Sequence, residues 1–143
     1  MTPFIRISDA ISVAGQMTGA DIAHAAAVGF RSVINNRPDG EEPGQSTDAE
    51  LRAAATTAGL GYTAIPVAQG FSMDQVNAMA EALDAQGPIL AFCRSGTRST
   101  NLWALAEASR GKAPDDLVTA AAGAGYDISG LTPTLRSLSD RHG

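Results

Sequence analysis

Residues 88–99 read Pro88-Ile89-Leu90-Ala91-Phe92-Cys93-Arg94-Ser95-Gly96-Thr97-Arg98-Ser99. An unbroken apolar run bounded by proline and a polar turn predicts a strand buried on both faces, at the centre of a parallel sheet. A glycine-containing loop follows, then a helix over about Ser99 to Ser109. Strand, loop and helix in that order make one half of an α/β unit, and the flanking chain repeats the alternation. Phe4–Ile7 and Ile11–Ala14 predict two short strands joined by a Ser-Asp turn. Thr18 caps a helix from about Gly19 to Val28 that stops at Gly29. Ser32–Asn35 is the next strand. Asn36 to Ser46 is turn chemistry, with Pro-Asp-Gly and Glu-Glu-Pro-Gly. Thr47-Asp48-Ala49-Glu50 and Ser72-Met73-Asp74-Gln75 are capping boxes, opening helices that end at Gly59 and near Gly87. Between them, Tyr62–Ile65 is a strand halted by Pro66. Further helices open at Pro114 and span about Thr132 to Arg141. The fold class is therefore α/β with a mainly parallel sheet. Ligands of such sheets bind beyond the carboxyl ends of the strands, which singles out the loops after Asn35 and Phe92.

The chain has 143 residues, a formal charge of −5 and 44% hydrophobic residues, enough for one domain over residues 1–143 with its own core. The acidic balance and the absence of a basic stripe argue against nucleic acid or an anionic membrane as partner. One cysteine excludes an internal disulfide, and with only two histidines no structural zinc site is expected. The apolar stretches are too short to span a bilayer and no secretory leader is legible, so a cytoplasmic protein is expected. His24 reads as a surface or core histidine, Trp103 as core packing.

Chemistry concentrates in the loop at Cys93. Gly96 permits a positive φ, so the loop can curl and aim successive amides inward. The following helix adds the positive end of its dipole. Arg94 and Arg98 supply charge, and the fork of Arg98 is expected to hold two oxygens of an anion. All of these favour a thiolate at Cys93, able to attack a sulfur or phosphorus centre. A cysteine after an apolar strand is ordinarily an inert small hydrophobe. Two arginines and a glycine turn within five residues argue otherwise. The catalytic candidates are thus Cys93 and Arg98, with Arg94, Ser95, Gly96, Thr97 and Ser99 as anion-binding residues. No cofactor or metal is called for. Arg37 is a candidate outer contact, or else an arginine that is solvated or pairs with Glu41 or Glu42.

This loop, with Leu102-Trp103-Ala104-Leu105 after it, resembles that of small bacterial proteins with a dual-specificity-phosphatase-like fold and a rhodanese-like active-site loop. The same domain occurs fused to a metallo-β-lactamase-like sulfur dioxygenase in the β-lactamase-hydrolase-like proteins. The resemblance takes in Val13-Ala14-Gly15-Gln16, Ser32 to Glu42 and Tyr62 to Pro66, about residues 10 to 110. It implies a cysteine-phosphatase-like sheet of four or five strands flanked by helices, a site centred on Cys93, and a sulfur dioxygenase-type enzyme as functional partner. Relatives are described both as phosphatases and as sulfurtransferases.

Two departures from the phosphatase signature bear on the choice. Phe92 stands where His precedes the cysteine, and four residues rather than five separate Cys93 from Arg98, leaving Ser99 at the signature arginine's place. Among rhodanese-like proteins the shorter loop goes with sulfur transfer. A phosphatase also needs an acid for its leaving alkoxide, and Pro66-Val67-Ala68-Gln69-Gly70 carries none. Asp39, Glu41 and Glu42 are the remaining candidates, Asp74 reading as a first-turn helix residue. The expected activity is transfer of sulfane sulfur from a small anionic donor, through a Cys93 persulfide, to a thiol acceptor. The alternatives are a cysteine phosphatase and a non-catalytic anion- or redox-sensing module.

Overall fold

The computed structural model describes residues 2–142. Five strands, β1 (Phe4–Arg6), β2 (Ile11–Ala14), β3 (Ser32–Asn35), β4 (Gly61–Ala64) and β5 (Ile89–Phe92), form one sheet in the order β1-β2-β5-β3-β4. All pairs are parallel except β1 with β2, which form a hairpin. The helices are α1 (Gly19–Ala27), α2 (Asp48–Ala58), α3 (Met73–Ala82), α4 (Thr97–Ser109), α5 (Pro114–Gly123) and α6 (Thr132–His142), with a 3₁₀ turn at Ser129–Leu131. The chain is α/β, and β5 lies at the centre of the sheet as its apolar sequence predicts.

The period of two along each strand divides the interior into two layers. Ile11, Val13, Ile34, Ile89 and Ala91 point to one face, under Val76, Met79, Leu102, Leu105, Leu117, Leu135 and Leu138 of α3 to α6. Ala14, Val33, Leu90 and Phe92 point to the other, under Ile22 and Ala25 of α1 and Leu51 and Ala55 of α2. Trp103 is part of the first layer, 5% exposed, as its apolar neighbours on α4 predict. His24 is exposed and lies against the ring of Phe4.

Thr18, Thr47 and Ser72 each close a reciprocal capping box, so three helix starts fall where the sequence puts them. Two helix boundaries differ. α3 stops at Ala82 rather than near Gly87, because Asp84 and Ala85 bond back three residues, to Glu81 and Ala82, and the chain turns toward β5. The Gln86 carbonyl is then taken by the Ser32 hydroxyl at 2.7 Å. α4 opens at Thr97, two residues before the expected Ser99. Gly96, at φ +88°, serves as its N-cap with no side-chain bond, and the Gly96 carbonyl accepts from the Thr100 amide at 2.9 Å. Thr97, Arg98 and Ser99 therefore belong to the first turn of a helix, and the true loop is only Cys93 to Gly96.

Phe92 is fully enclosed and carries the α1–α2 layer up to the residue before Cys93. Phe92→Ala should lower the free energy of unfolding by about 3–5 kcal/mol, read from denaturant midpoints at unchanged m-value. A loss below about 1 kcal/mol would mean that the layer closes around the gap.

Candidate active site

Four strands end side by side, and the loops leaving β2, β5, β3 and β4 converge above them. Cys93 is the first residue past β5. Its amide donates to the Ala14 carbonyl (3.3 Å) and its side chain is wholly buried. The Gly96 amide donates to Cys93 Sγ at 3.1 Å, so the curl predicted from glycine aims an N–H at the sulfur. β2 holds the loop from beneath: the Gln16 amide donates to the Arg94 carbonyl at 3.2 Å. A Cβ on Gly15 would stand 3.0 Å from that same carbonyl, so the close approach needs glycine. This gives Val13-Ala14-Gly15-Gln16 a role as the floor of the loop.

The arginines are placed differently from expectation. The side chain of Arg94 is 69% exposed and faces Glu42 at 3.8 Å, away from the cradle. Ser95 and Thr97 are exposed and their hydroxyls pair with each other at 3.0 Å. Ser99 is fully buried, its hydroxyl without a partner among the described residues. Arg98 lies near enough to Cys93 to feel its charge, but its fork already holds a carboxylate. Both terminal nitrogens donate to Glu41 at 2.8 Å, and Nη1 also donates to the Val67 carbonyl at 2.7 Å. The bond with Glu41 first, and then the charges of Glu41 and Cys93, hold the guanidinium above its ordinary pKa.

Glu41 is shared with a second arginine. Arg37 Nε donates to it at 2.7 Å, while Nη2 donates to Glu42 (2.9 Å) and Nη1 to Gln16 (2.9 Å). Arg37 is thus the pairing arginine rather than a solvated one, with a side chain only 2% exposed. Burial opposes its charge, and the bonds to Glu41 and Glu42 outweigh it. Its amide is fixed by Asn35 Oδ1 at 2.9 Å. The result is a chain of charges from the β3 loop to α4: Glu42, Arg37, Glu41, Arg98. Arg98 lowers the Glu41 pKa most, Arg37 adds to it against burial, and the carboxyl is held at about 2.

The other acid candidates are occupied. Asp39 Oδ1 accepts from the Asp48 amide at 2.8 Å, and Asp74 sits in the first turn of α3. One residue that sequence reasoning passed over also touches the loop: the Tyr126 hydroxyl, from the segment after α5, donates to the Ser95 carbonyl at 2.9 Å. No local motif marks it, since it lies far along the chain from Cys93. Among the described residues no group of three or more His, Cys, Asp or Glu side chains is placed to hold a metal ion.

A sheet in this order, with a cysteine between the central strand and the next helix, is the architecture of the cysteine-phosphatase-like proteins. The chain superposes on a candidate phosphatase of Neisseria meningitidis with a TM-score of 0.80 at 28% identity, covering 94% of this chain and 96% of that one. A DUF442 candidate phosphatase of Shewanella putrefaciens gives 0.73 at 20% identity, covering 98% and 93%. The kinase associated phosphatase gives 0.74 at 13%, covering 99% and 95%, a likeness of fold alone. The chain belongs to the family described as beta-lactamase hydrolase-like protein, phosphatase-like domain, whose sequence model matches residues 4–110. It is 37% identical over 139 residues to the beta-lactamase hydrolase-like protein of Agrobacterium fabrum, covering 94% of this chain and 32% of that one. The Xylella fastidiosa (strain Temecula1) protein of the same description is 38% identical over 136 residues, covering 92% and 31%. The chain spans about a third of the length of these relatives.

A carboxyl held at about 2 against an ordinary 4.5 makes a signed pH prediction. Its folded pKa is depressed, so its stabilisation is complete above the unfolded value and disappears as pH falls from 4.5 toward 2. Glu41→Gln should therefore be less stable than wild type near neutrality, and the gap between their urea midpoints should narrow steadily through that window. A gap independent of pH would show that the carboxylate charge contributes nothing.

Proposed function

We propose that this domain transfers sulfane sulfur through Cys93. The observation that carries the reading is the state of Glu41, the carboxylate that sits at the mouth of the loop. Locked between Arg98 and Arg37, it holds no proton at neutral pH. Phosphate ester cleavage calls for a proton on the departing alkoxide. Sulfite departing from thiosulfate is a stable anion and calls for none. The short ring supports the same choice: only Arg94, Ser95 and Gly96 lie between Cys93 and the start of α4, and a phosphoryl group in flight has three equatorial oxygens to be embraced. A sulfane sulfur presents one atom.

In the first half-reaction the Cys93 thiolate attacks the outer sulfur of thiosulfate or a related persulfide. The donor S–S bond breaks, its electron pair leaves with sulfite or thiolate, and a Cys93 persulfide forms beside the Gly96 amide. In the second, an acceptor thiolate takes the outer sulfur and returns Cys93 to its thiolate, a ping-pong cycle. An external acceptor such as glutathione fits a chain whose one cysteine has no resolving partner. For a donor anion to engage both terminal nitrogens of Arg98, Glu41 has to leave the fork, so Glu41 competes with substrate. A sulfur dioxygenase-type enzyme that consumes the persulfide product is the functional partner we propose. A cytoplasmic location suits a cysteine that must stay reduced; no helix among the described residues is long and apolar enough to cross a membrane.

The comparisons favour a second reading, a cysteine phosphatase passing through a phosphocysteine, since the matched family is described as phosphatase-like and the neisserial relative as a candidate phosphatase. One experiment separates the two. Thiosulfate:cyanide or thiosulfate:thiol transfer should exceed aryl phosphate hydrolysis by at least about tenfold in kcat/KM, about 1.4 kcal/mol of barrier. Both should vanish in Cys93→Ser. Efficient hydrolysis of a phosphotyrosyl peptide that depends on Cys93, without sulfur transfer, would establish the phosphatase instead.

A further inference from the structure

The Ser95 carbonyl and the Gly96 amide are the two ends of a single peptide plane. The amide end donates to Cys93 Sγ at 3.1 Å, and the carbonyl end accepts from the Tyr126 hydroxyl at 2.9 Å. Rotation of that plane would break both bonds together. Gly96, at φ +88°, lacks the Cβ that would resist such rotation, so the backbone alone does not hold it. The Tyr126 hydroxyl occupies the space instead: a Cβ built on Gly96 would collide with it. Tyr126 is itself anchored, its amide donating to the Ala121 carbonyl of α5 at 2.9 Å.

We propose that Tyr126 is a positioning residue, which fixes the Ser95–Gly96 peptide so that its N–H points at the Cys93 sulfur. Its effect is both geometric and electronic. A donor on the carbonyl oxygen withdraws charge from the peptide, and the N–H at the other end becomes a stronger donor. The group that benefits is an anionic sulfur, where a hydrogen bond is worth more than to a neutral atom. Burial first, and then the charge of Cys93, raise the Tyr126 phenol above its ordinary 10.0, so it remains a donor at neutral pH. Residue 126 lies beyond the matched family segment, so this contact comes from the C-terminal helical region folding back over the loop.

The proposal rests on Cys93 being the nucleophile, but not on what it attacks, and its test uses no substrate. Alkylation of the single cysteine by uncharged iodoacetamide is compared in wild type and Tyr126→Phe. If the hydroxyl supports the thiolate, the variant reacts more slowly near pH 7 by at least about threefold, and the two rates converge near pH 10.5, where an ordinary thiol is ionised regardless. Tm should stay within about 3 °C, since only an oxygen is removed from a half-buried ring. If Tyr126 merely packs over the loop, removing the hydroxyl uncovers the buried sulfur and alkylation is faster at both pH values. Faster or unchanged alkylation overturns the proposal. Should Tyr126→Phe unfold, Tyr126→Leu also removes the donor while keeping apolar bulk, and the same comparison at two pH values decides. Loss of thiosulfate transfer in favour of phosphate hydrolysis in wild type would overturn the sulfur-transfer reading and leave this one standing. A wild-type Cys93 that iodoacetamide does not reach even near pH 10.5 would overturn the positioning role and the nucleophile reading together.

Discussion

Everything in the site depends on β5 being hydrogen-bonded along both edges and buried on both faces. It pairs in parallel with β2 on one side and β3 on the other, and its four side chains alternate between the two core layers. A strand held in this way has no freedom to shift register, because a shift of one residue would send each apolar side chain to the opposite layer. The residue after it therefore emerges at a fixed point. Cys93 occupies that point, with its amide tied to Ala14 and the loops of three neighbouring strands within reach. A rigid scaffold thus supports a short loop, the common arrangement for catalysis.

Above the strand ends, electrostatics takes over from packing. Arg37, from the loop after β3, and Arg98, from the first turn of α4, would repel if left alone. Glu41 lies between them and bonds to both, and Glu42 and Gln16 complete the set around Arg37. A guanidinium buried to the extent of Arg37 is stable only with its donors paired. The loop over residues 36–46 is thereby held down on the site by ion pairs rather than by an apolar core. Such a contact is open to exchange, since another anion can replace a carboxylate where it cannot replace a packed side chain. The network is a structural tie that joins the loop after β3 to the start of α4.

The comparisons and the local chemistry bear on different levels of the same question. Family membership and shared fold establish a phosphatase-like scaffold. A fold hosts several reactions, and the residues around the reacting atom select among them. The short loop from Cys93 to Gly96 and the doubly paired Glu41 are what this chain sets around its cysteine on that scaffold.

Much of this was legible in the chain itself. The cap at Thr18, the capping boxes at Thr47 and Ser72, the apolar run Ile89–Phe92 and the glycine at 96 are local signals, each acting over a few residues. They determined the order of elements, the central place of β5, and the tight turn that follows Cys93. The start of α4 at Thr97 was missed because a glycine cap, unlike a serine cap, leaves no side-chain signature. What the tertiary structure alone decided are the long-range pairings: Arg98 with Glu41 rather than an open fork, Arg94 turned outward to Glu42, and Tyr126 over the Ser95 carbonyl. A long arginine side chain can meet any carboxylate that the fold brings near. Which one it meets depends on β5 lying between β2 and β3, and alternation of strands and helices along the sequence does not specify that order.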